Sequence, residues 1–381
     1  MTLLDLPSNR DEAWRWSDLS ALPEIAARAP AGVVPEALPW IDCAEGPRLL
    51  FVDGCLDESR SDLGPVAIGP VEVDPEGHAL ARLAGRVGWS LRLGRDHAPS
   101  GPVQIVHLST GGADHLAGEI VLDEDAQASI VESFVGEGWS NRLTRIRLAR
   151  SARLMLARRV MASVGFVSFT DRATVGEGAS LVATVLAAGG ADTRIDGSIL
   201  LTGEGAYAEA GGALLARGRQ RHDANYVVRH EAPQGTSRQL WRSVADDRAI
   251  CSVAARVEVA RGAQKTDGEQ SLKGLLLSRS AQVNAKPELE IFADDVKCAH
   301  GATVGELNRD ALFYMASRGV PREEARALLT TAFVADAIER VGEEAVREAM
   351  HADAEAWFAK TPLPLGEREG PAAEGGGRVR A

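Results

Sequence analysis

A repeated opening recurs in the middle of the chain, in the segments DAQASIVESFV (125–135), SARLMLARRV (151–160), GASLVATVL (178–186) and GAYAEAGGALL (205–215). In each segment a small or acidic residue is followed by an alanine (Ala126, Ala152, Ala179 and Ala206). These alanines recur at an interval of about 27 residues, which lies within the range of stacked structural repeats. A unit of this length is too small to bury its own apolar face, so successive units are expected to stack as turns of a solenoid. The spacing therefore favours a parallel β-helix.

Short strand-like runs, separated by glycine and polar turns, fill the chain from residue 78 to residue 300. No helical pattern of about 10 to 15 residues lies between them, which argues against alternating β-α-β units. A β-sandwich is built from the same kind of strands and stays the structural alternative. We predict a mainly β protein whose core, residues 78–300, is a parallel β-helix.

The two ends of the chain have a different texture. Residues 1–77 combine Trp-bearing helix signals with many prolines, which interrupt long helices and predict a mixed helical region. Residues 301–362 show helical periodicity, with apolar positions at spacings of three and four, and predict a helical domain. Residues 363–381 are rich in Gly, Ala and charge, and predict a disordered tail.

Composition limits the classes of function. The 381 residues carry a formal net charge of -12, which argues on electrostatic grounds against nucleic acid as a partner. No apolar run approaches the roughly 18 residues of a membrane-spanning helix, and the N-terminus does not resemble a signal peptide. We therefore predict a cytoplasmic protein. The four cysteines form no Cys-x-x-Cys pair and are predicted to be free thiols.

The most concentrated chemistry lies in IFADDVKCAHGATVG (291–305), where Cys298 and His300 are two residues apart. On an extended strand such residues share one face. Thiolate and imidazole are both ligands of iron-sulfur clusters, so the pair could contribute to a metal site. The alternative is that Cys298 packs as a small apolar residue and His300 is an ordinary loop histidine. Two donors cannot complete a cluster site, so a functional pair would need donors from another chain.

The remaining candidates favour structural roles. Asp294 and Asp295, and likewise the DDR at 246–248, are interpreted as polar turns between strands. A second group matches no metal signature (His222, Asp223, His230 and Glu231). No P-loop, GxSxG or HExxH motif occurs, and we predict that the chain is not an enzyme. A β-helix carbohydrate lyase or hydrolase is the enzymatic alternative, although three Tyr and eight Phe offer few aromatic platforms for a sugar.

Two segments carry a family resemblance. The run GAQKTDGEQSLKGLLLSRSAQVNAKPELEIFADDVKCAHGATVGELNRDALFYMASRGVPREEARALLTTAFVADAIERV (262–341) resembles the C-terminal region of the SufB/SufD family, which serves iron-sulfur cluster assembly in the SUF system. NRDEAWRWSDL (9–19) is similar to the family's opening Trp-containing motif. The segment KCAHGATVG resembles the SufD branch of the family, because the SufB version of this stretch lacks the Cys-x-His pair. The length of the chain, shorter than that of SufB proteins, also fits the SufD branch.

The resemblance implies a fold and a role. The expected fold is a right-handed parallel β-helix flanked by terminal helical regions. The expected role is a non-catalytic scaffold that pairs with SufB through the β-helices and binds SufC, the ATPase that would supply the missing P-loop. Cys298 and His300 match positions associated with cluster assembly at the junction with SufB. The resemblance thus implies a transient cluster at that junction and no cofactor held stably by this chain alone.

Two further expectations concern partners. The apolar stripe of the C-terminal helices is predicted to contact SufC, through Phe313, Leu328, Leu329, Phe333 and Ile338. An open side of a β-helix exposes unpaired backbone groups, so homodimers are predicted when SufB is absent. A purely structural adaptor, in which Cys298 and His300 only pack, is the remaining alternative.

Overall fold

The computed structural model describes residues 4–42 and 45–359. Within these ranges the chain forms seventeen strands, four α-helices and three short 3-10 helices. The strands are β1 (Arg48–Val52), β2 (Cys55–Leu56), β3 (Val66–Pro70), β4 (Val87–Leu93), β5 (Val103–Leu122), β6 (Gln127–Leu148), β7 (Arg153–Val160), β8 (Val164–Val175), β9 (Ser180–Ala187), β10 (Asp192–Leu201), β11 (Tyr207–Ala216), β12 (Arg221–His230), β13 (Thr236–Ala245), β14 (Ile250–Val259), β15 (Asp267–Leu276), β16 (Gln282–Ile291) and β17 (Lys297–Glu306). The helices are α1 (Leu22–Ala26), α2 (Arg309–Ser317), α3 (Arg322–Ile338) and α4 (Glu344–Ala359), and the 3-10 helices are Glu12–Trp14, Glu58–Arg60 and Ala81–Leu83.

The strands stack in two parallel ladders. One face contains β1, the first halves of β5 and β6, and then β7, β9, β11, β13, β15 and β17. The other face contains β4, the second halves of β5 and β6, and then β8, β10, β12, β14 and β16. From β4 onward each strand pairs in parallel with a strand one turn away, which makes a β-solenoid of about eight turns. The prediction of a parallel β-helix is confirmed, and the antiparallel sandwich is wrong.

One corner of the solenoid explains the repeat in the sequence. The corner residue has a left-handed backbone, with φ between +57° and +68°, in seven successive turns (Asp96, Asp125, Ser151, Gly178, Gly205, Gln234 and Lys265). Glycine and aspartate tolerate this conformation better than most residues. The residue that follows Asp125 and Ser151 is a fully buried alanine, where the chain bends inward. The amide of each corner donates to a carbonyl of the next turn, as from Asp125 to Arg150 at 3.0 Å.

The interior between the two faces is mainly apolar, and it also encloses charge. Arg158 is 1% exposed and donates to both oxygens of Asp171, at 2.5 and 2.9 Å, and to Glu132 at 2.6 Å. The hydroxyl of Tyr226 donates to Asp171 at 3.2 Å, and its ring fills the space above Gly197. A buried ion group of this kind is tolerated because each charge has several partners.

The outer surfaces of the two faces are covered by the ends of the chain. Trp14 and residues of α1 pack on the face that contains Trp139 and Phe166. Helices α3 and α4 pack on the other face, through Val334, Trp357 and their neighbours. Strands that are buried on both sides have nearly continuous apolar sequences. The alternation of apolar and polar residues is therefore weak in these strands.

The regions predicted from the sequence can be placed on this architecture. Residues 48–52 already pair with β5, and β17 continues across residue 300 to Glu306 before the C-terminal helices begin. The division at residues 77, 300 and 362 stays a prediction. The predicted tail, 363–381, lies outside the described residues. No helix in the described ranges is long and apolar enough to cross a membrane.

Candidate functional site

The C-terminal end of the solenoid is open. Strand β16 pairs with β14, and β17 pairs with β15. Within residues 4–42 and 45–359, no further strand pairs with the outer edges of these two strands. Their backbone donors and acceptors therefore present a row of free hydrogen-bonding groups at the end of the stack.

The inner face of the solenoid is partly exposed to solvent at this end. Val283 and Leu289 on β16 are in register with the buried Cys251 and Val257, so they face inward, yet both are only partly buried. Val304 is in register with the buried Gly274 and is exposed. The last turn thus offers an apolar floor that is partly exposed at the end of the stack, which is typical of an interaction surface.

Cys298 and His300 lie on β17 in the same inward-facing set. They pair in register with Gly268 and Gln270, which are both buried in the previous turn. The strand directs the two side chains to one face, with Cys298 partly buried and His300 exposed. The site therefore combines a thiol, an imidazole, an apolar floor and two free strand edges.

The environment of Cys298 sets its protonation. Burial raises the pKa of the thiol above its ordinary value, the backbone N–H of Gly268 opposes this change, and Asp267 adds to it. The thiol is thus protonated at neutral pH in the isolated chain, and a metal that binds it must displace the proton. Metal binding at this site is expected to strengthen as pH rises.

Metal binding by the chain alone has little support in the geometry. In the part of the chain that the structure describes, no group of three or more His, Cys, Asp or Glu side chains is arranged around a possible metal position. Asp294 and Asp295 lie in the turn between β16 and β17, where the carbonyl of Asp295 accepts from the amide of Lys265. Cys298 and His300 remain a pair of donors.

The other sequence candidates are structural. His222 is buried between the hydroxyl of Thr193, at 2.9 Å, and the carbonyl of Leu215, at 3.1 Å. His230 is buried beside the hydroxyl of Ser237 at 2.8 Å, and the carboxylate of Asp223 is bound by Arg194. The DDR at 246–248 forms the turn between β13 and β14. These residues do not converge on one site.

The predicted helical contact residues divide into two groups. Phe313 and Leu328 are 77% and 51% exposed. Leu329 and Phe333 are partly buried, and Phe333 packs against the cluster between α3, α4 and the solenoid. Ile338 is 1% exposed and belongs to that cluster, so it cannot touch another protein in this conformation. Of the five predicted residues, Phe313 and Leu328 are the ones whose side chains are largely exposed.

Sequence reasoning missed Gln270. This side chain is 1% exposed and lies one turn below His300, yet neither its Oε1 nor its Nε2 has a hydrogen-bond partner in the described chain. A buried polar group without a partner is uncommon in folded proteins. In the sequence, Gln270 is marked only by its separation from His300 along the chain. That separation can be interpreted only when the register between successive turns is known.

Comparisons with known proteins find relatives along most of the chain. A family model described as the SUF system FeS cluster assembly SufBD core domain matches residues 108–333. The iron-sulfur cluster assembly protein SufD of Escherichia coli is 27% identical over 369 residues, which cover 90% of this chain and 87% of that protein. Protein ABCI7, chloroplastic, of Arabidopsis thaliana is 32% identical over 238 residues, 60% of this chain and 50% of that protein. SufD of Bacillus subtilis is 31% identical over 157 residues, 41% of this chain and 36% of that protein.

Proposed function

Because this chain belongs to the SufBD core family of the SUF iron-sulfur cluster assembly system, with SufD proteins among its relatives, we propose that it is a non-catalytic scaffold subunit that pairs with SufB. In this role it also binds the ATPase SufC and contributes ligands to a cluster that is assembled or transferred between the chains. The observation that carries the proposal is the open end of the solenoid, where Cys298 and His300 share the uncovered inner face of the last turn.

The chemistry of the pair fits a shared cluster. Iron-sulfur clusters are held by thiolates and in some cases by imidazoles, and they generally take four protein ligands. Cys298 and His300 supply two, so the partner chain would supply the others. The cluster is cargo here, and Cys298 and His300 would hold and orient it together with the ligands of the partner chain.

The docking of SufB is expected to use the free edges and the apolar floor. A test compares two substitutions at neighbouring positions of β17. Val304→Lys places a charge on the inner face, whereas Thr303→Lys places it on the opposite face of the strand. Co-purification with SufB should be lost with Val304→Lys and retained with Thr303→Lys. Equal retention by the two variants would contradict docking at this end.

The same surface underlies the expected homodimer. When SufB is absent, a second copy of the chain can cover the floor and pair with the free edges. Light scattering of the isolated protein at micromolar concentration should report a dimer, and Val304→Lys should convert it to a monomer. A monomeric wild-type protein would count against this expectation.

Binding of SufC is assigned to the exposed side of the C-terminal helices, at Phe313 and Leu328. Deletion of the helices is a poor test, because it would uncover the apolar face of the solenoid against which Val334 and Trp357 pack. Phe313→Ser and Leu328→Ser change the exposed surface alone, and they should weaken capture of SufC while the thermal midpoint is unchanged. Undiminished capture by the double variant would refute the assignment.

A further inference from the structure

The inner face of the last three turns contains a column of three polar side chains, and the proposed function uses only the last of them, His300. Gln239 on β13, Gln270 on β15 and His300 on β17 occupy successive positions in register. Below them the same position is the buried Ala210. Neighbouring parallel strands lie about 4.8 Å apart, so each of these side chains is within reach of the next.

The hydrogen bond of Gln239 determines which of its amide atoms is left to face the next residue of the column. Its Nε2 donates to the backbone carbonyl of Arg256 at 2.9 Å, so its Oε1 is left as an acceptor. That Oε1 has no partner in the described ranges, and neither do the Nε2 and Oε1 of Gln270. If Gln270 donates to Gln239, the oxygen of Gln270 remains as an acceptor toward the open end, where the imidazole of His300 lies one position above.

We propose that Gln239 and Gln270 form a relay of side-chain amides that accepts one ring N–H of His300 and so presents its other ring nitrogen to iron. The proposal rests on the proposed function, because it deepens the role of the same site. Histidine ligands of metals usually donate their second ring N–H to a carboxylate, a backbone carbonyl or a water, which fixes the tautomer and the orientation of the ring. The amide oxygen of Gln270 is an acceptor that could serve in the same way. Gln270 is then a positioning residue, and His300 is the ligand.

The relay is incomplete in the isolated chain. The bond from Gln239 to Arg256 is present, whereas Gln270 has no partner in the described chain and His300 is exposed. Docking of a partner over the last turn would bury His300 and favour its bond to Gln270. The isolated chain therefore carries a buried amide that is costly to stability until the site is assembled.

The test uses Gln270→Met, which keeps the shape of the side chain and removes both hydrogen-bonding groups. Cobalt(II) is the probe, and its thiolate charge-transfer absorption is titrated in the apo complex of the full chain with SufB and SufC. The thermal midpoint of the isolated Gln270→Met chain should equal or exceed that of wild type. Affinity for cobalt should fall about 10- to 100-fold, the usual effect of removing the partner of a ligand. Gln270→Leu serves as a second variant if the first does not fold.

The matched control is Gln104→Met. Gln104 is also buried, but its amide both accepts from and donates to the backbone of Ile41, at 2.8 and 3.1 Å. This control should lower the thermal midpoint and leave cobalt affinity unchanged, which is the opposite pattern to Gln270→Met.

A cycle with His300→Ala separates the possible failures. The relay predicts that Gln270→Met weakens cobalt binding in the wild type and has no further effect once His300 is absent. A loss in both backgrounds would mean a general structural effect and would overturn the relay. If His300→Ala weakens binding and Gln270→Met does not, the relay is wrong and the proposed function stands. If His300→Ala has no effect, His300 is not a ligand, and both the relay and the ligand role of His300 in the proposed function are overturned.

Discussion

The sulfur of Cys298 lies 3.3 Å from the position that a Cβ atom of Gly268 would occupy. The two residues are paired in register on β15 and β17, and both face the interior of the solenoid. Val257 approaches the same position to 3.4 Å. The absence of a side chain at residue 268 therefore leaves room for the thiol on the inner face of the last turn.

Gly268→Ala is predicted to push the thiol toward the open end. A contact of 3.3 Å is tight, and Cys298 has free space on the open side, so the sulfur is the group that moves. Less burial should lower the pKa of Cys298, because burial is the largest cause of its raised pKa and outweighs the hydrogen bond from the Gly268 N–H. The more exposed thiol should react faster with a thiol reagent. The rate is measured in a Cys43→Ser, Cys55→Ser background. Cys251 stays unreactive there, because it is fully buried and burial raises its pKa. An unchanged rate would contradict the packing described.

The solenoid corner predicts a contrast between two glycines. Gly205 has a left-handed backbone, with φ +68°, whereas the φ of Gly262 is not in the left-handed region. At both positions an added Cβ atom would have no other atom within 4 Å. Gly205→Ala should therefore lower the free energy of unfolding by about 1 kcal/mol through backbone strain alone. Gly262→Ala should have no cost. Equal effects in chemical denaturation would show that the left-handed corner is not required.

The buried ion group predicts a large loss for one substitution. Arg158→Met would leave Asp171 and Glu132 without their shared cation in the interior, at a cost of about 3 to 5 kcal/mol. Arg150→Met removes an ion pair with Glu124 whose arginine is largely exposed, and should cost less than about 1 kcal/mol. Denaturant titration of both variants measures the difference. A loss at Arg158 as small as that at Arg150 would mean that the carboxylates find other partners.

Stability should fall as the pH is lowered from about 6.5 to 4. Burial lowers the pKa of His222 to about 4 from 6.5, against the smaller effect of the Leu215 carbonyl. The unfolded chain takes up a proton in this window and the native chain does not, so the native state loses stability as pH falls, by about 3 kcal/mol for a complete shift. The loss ends below the native pKa.

His222→Gln isolates this contribution, because the amide does not titrate. Its free energy of unfolding should depend less steeply on pH between 6.5 and 4 than that of wild type. His230, whose pKa burial also lowers to about 4, keeps part of the dependence in the variant. Parallel curves for the two proteins would contradict the assignment.

The repeat that predicts the fold is a property of one part of the solenoid. From β7 through β9 to β11 the turns have a constant length, since Arg153 pairs with Ser180 and Ser180 pairs with Tyr207. The next two turns are each longer than the one before, because Tyr207 pairs with Thr236 and Thr236 pairs with Asp267. The left-handed corner persists in these later turns, at residues 234 and 265, without the small-residue signature. The repeat therefore disappears from the sequence while the architecture continues.

The candidate site was accessible from the sequence only in part. The spacing of Cys298 and His300 predicts that they share a face, because residues two apart on any one strand do so. The burial of Cys298 against Gly268, and the position of Gln270 below His300, depend on a register that joins residues a full turn apart. Nothing in the local sequence specifies that offset. Likewise, the packing of Ile338 on the solenoid separates it from the exposed Phe313 only once the helices are placed.

The central claim is that Cys298 and His300 supply ligands to a cluster formed with SufB. The most direct measurement is the iron and acid-labile sulfide content, with the visible absorbance, of the complex with SufB and SufC after anaerobic reconstitution. Cys298→Ser and His300→Ala are compared with Ala299→Ser, which changes the opposite face of the same strand. The stability of the His300 variant should change by no more than about 0.5 kcal/mol, because the residue is exposed. The account predicts that both variants still bind SufB and lose cluster, while Ala299→Ser retains it. Full cluster content in folded, SufB-bound complexes of both variants would contradict the account.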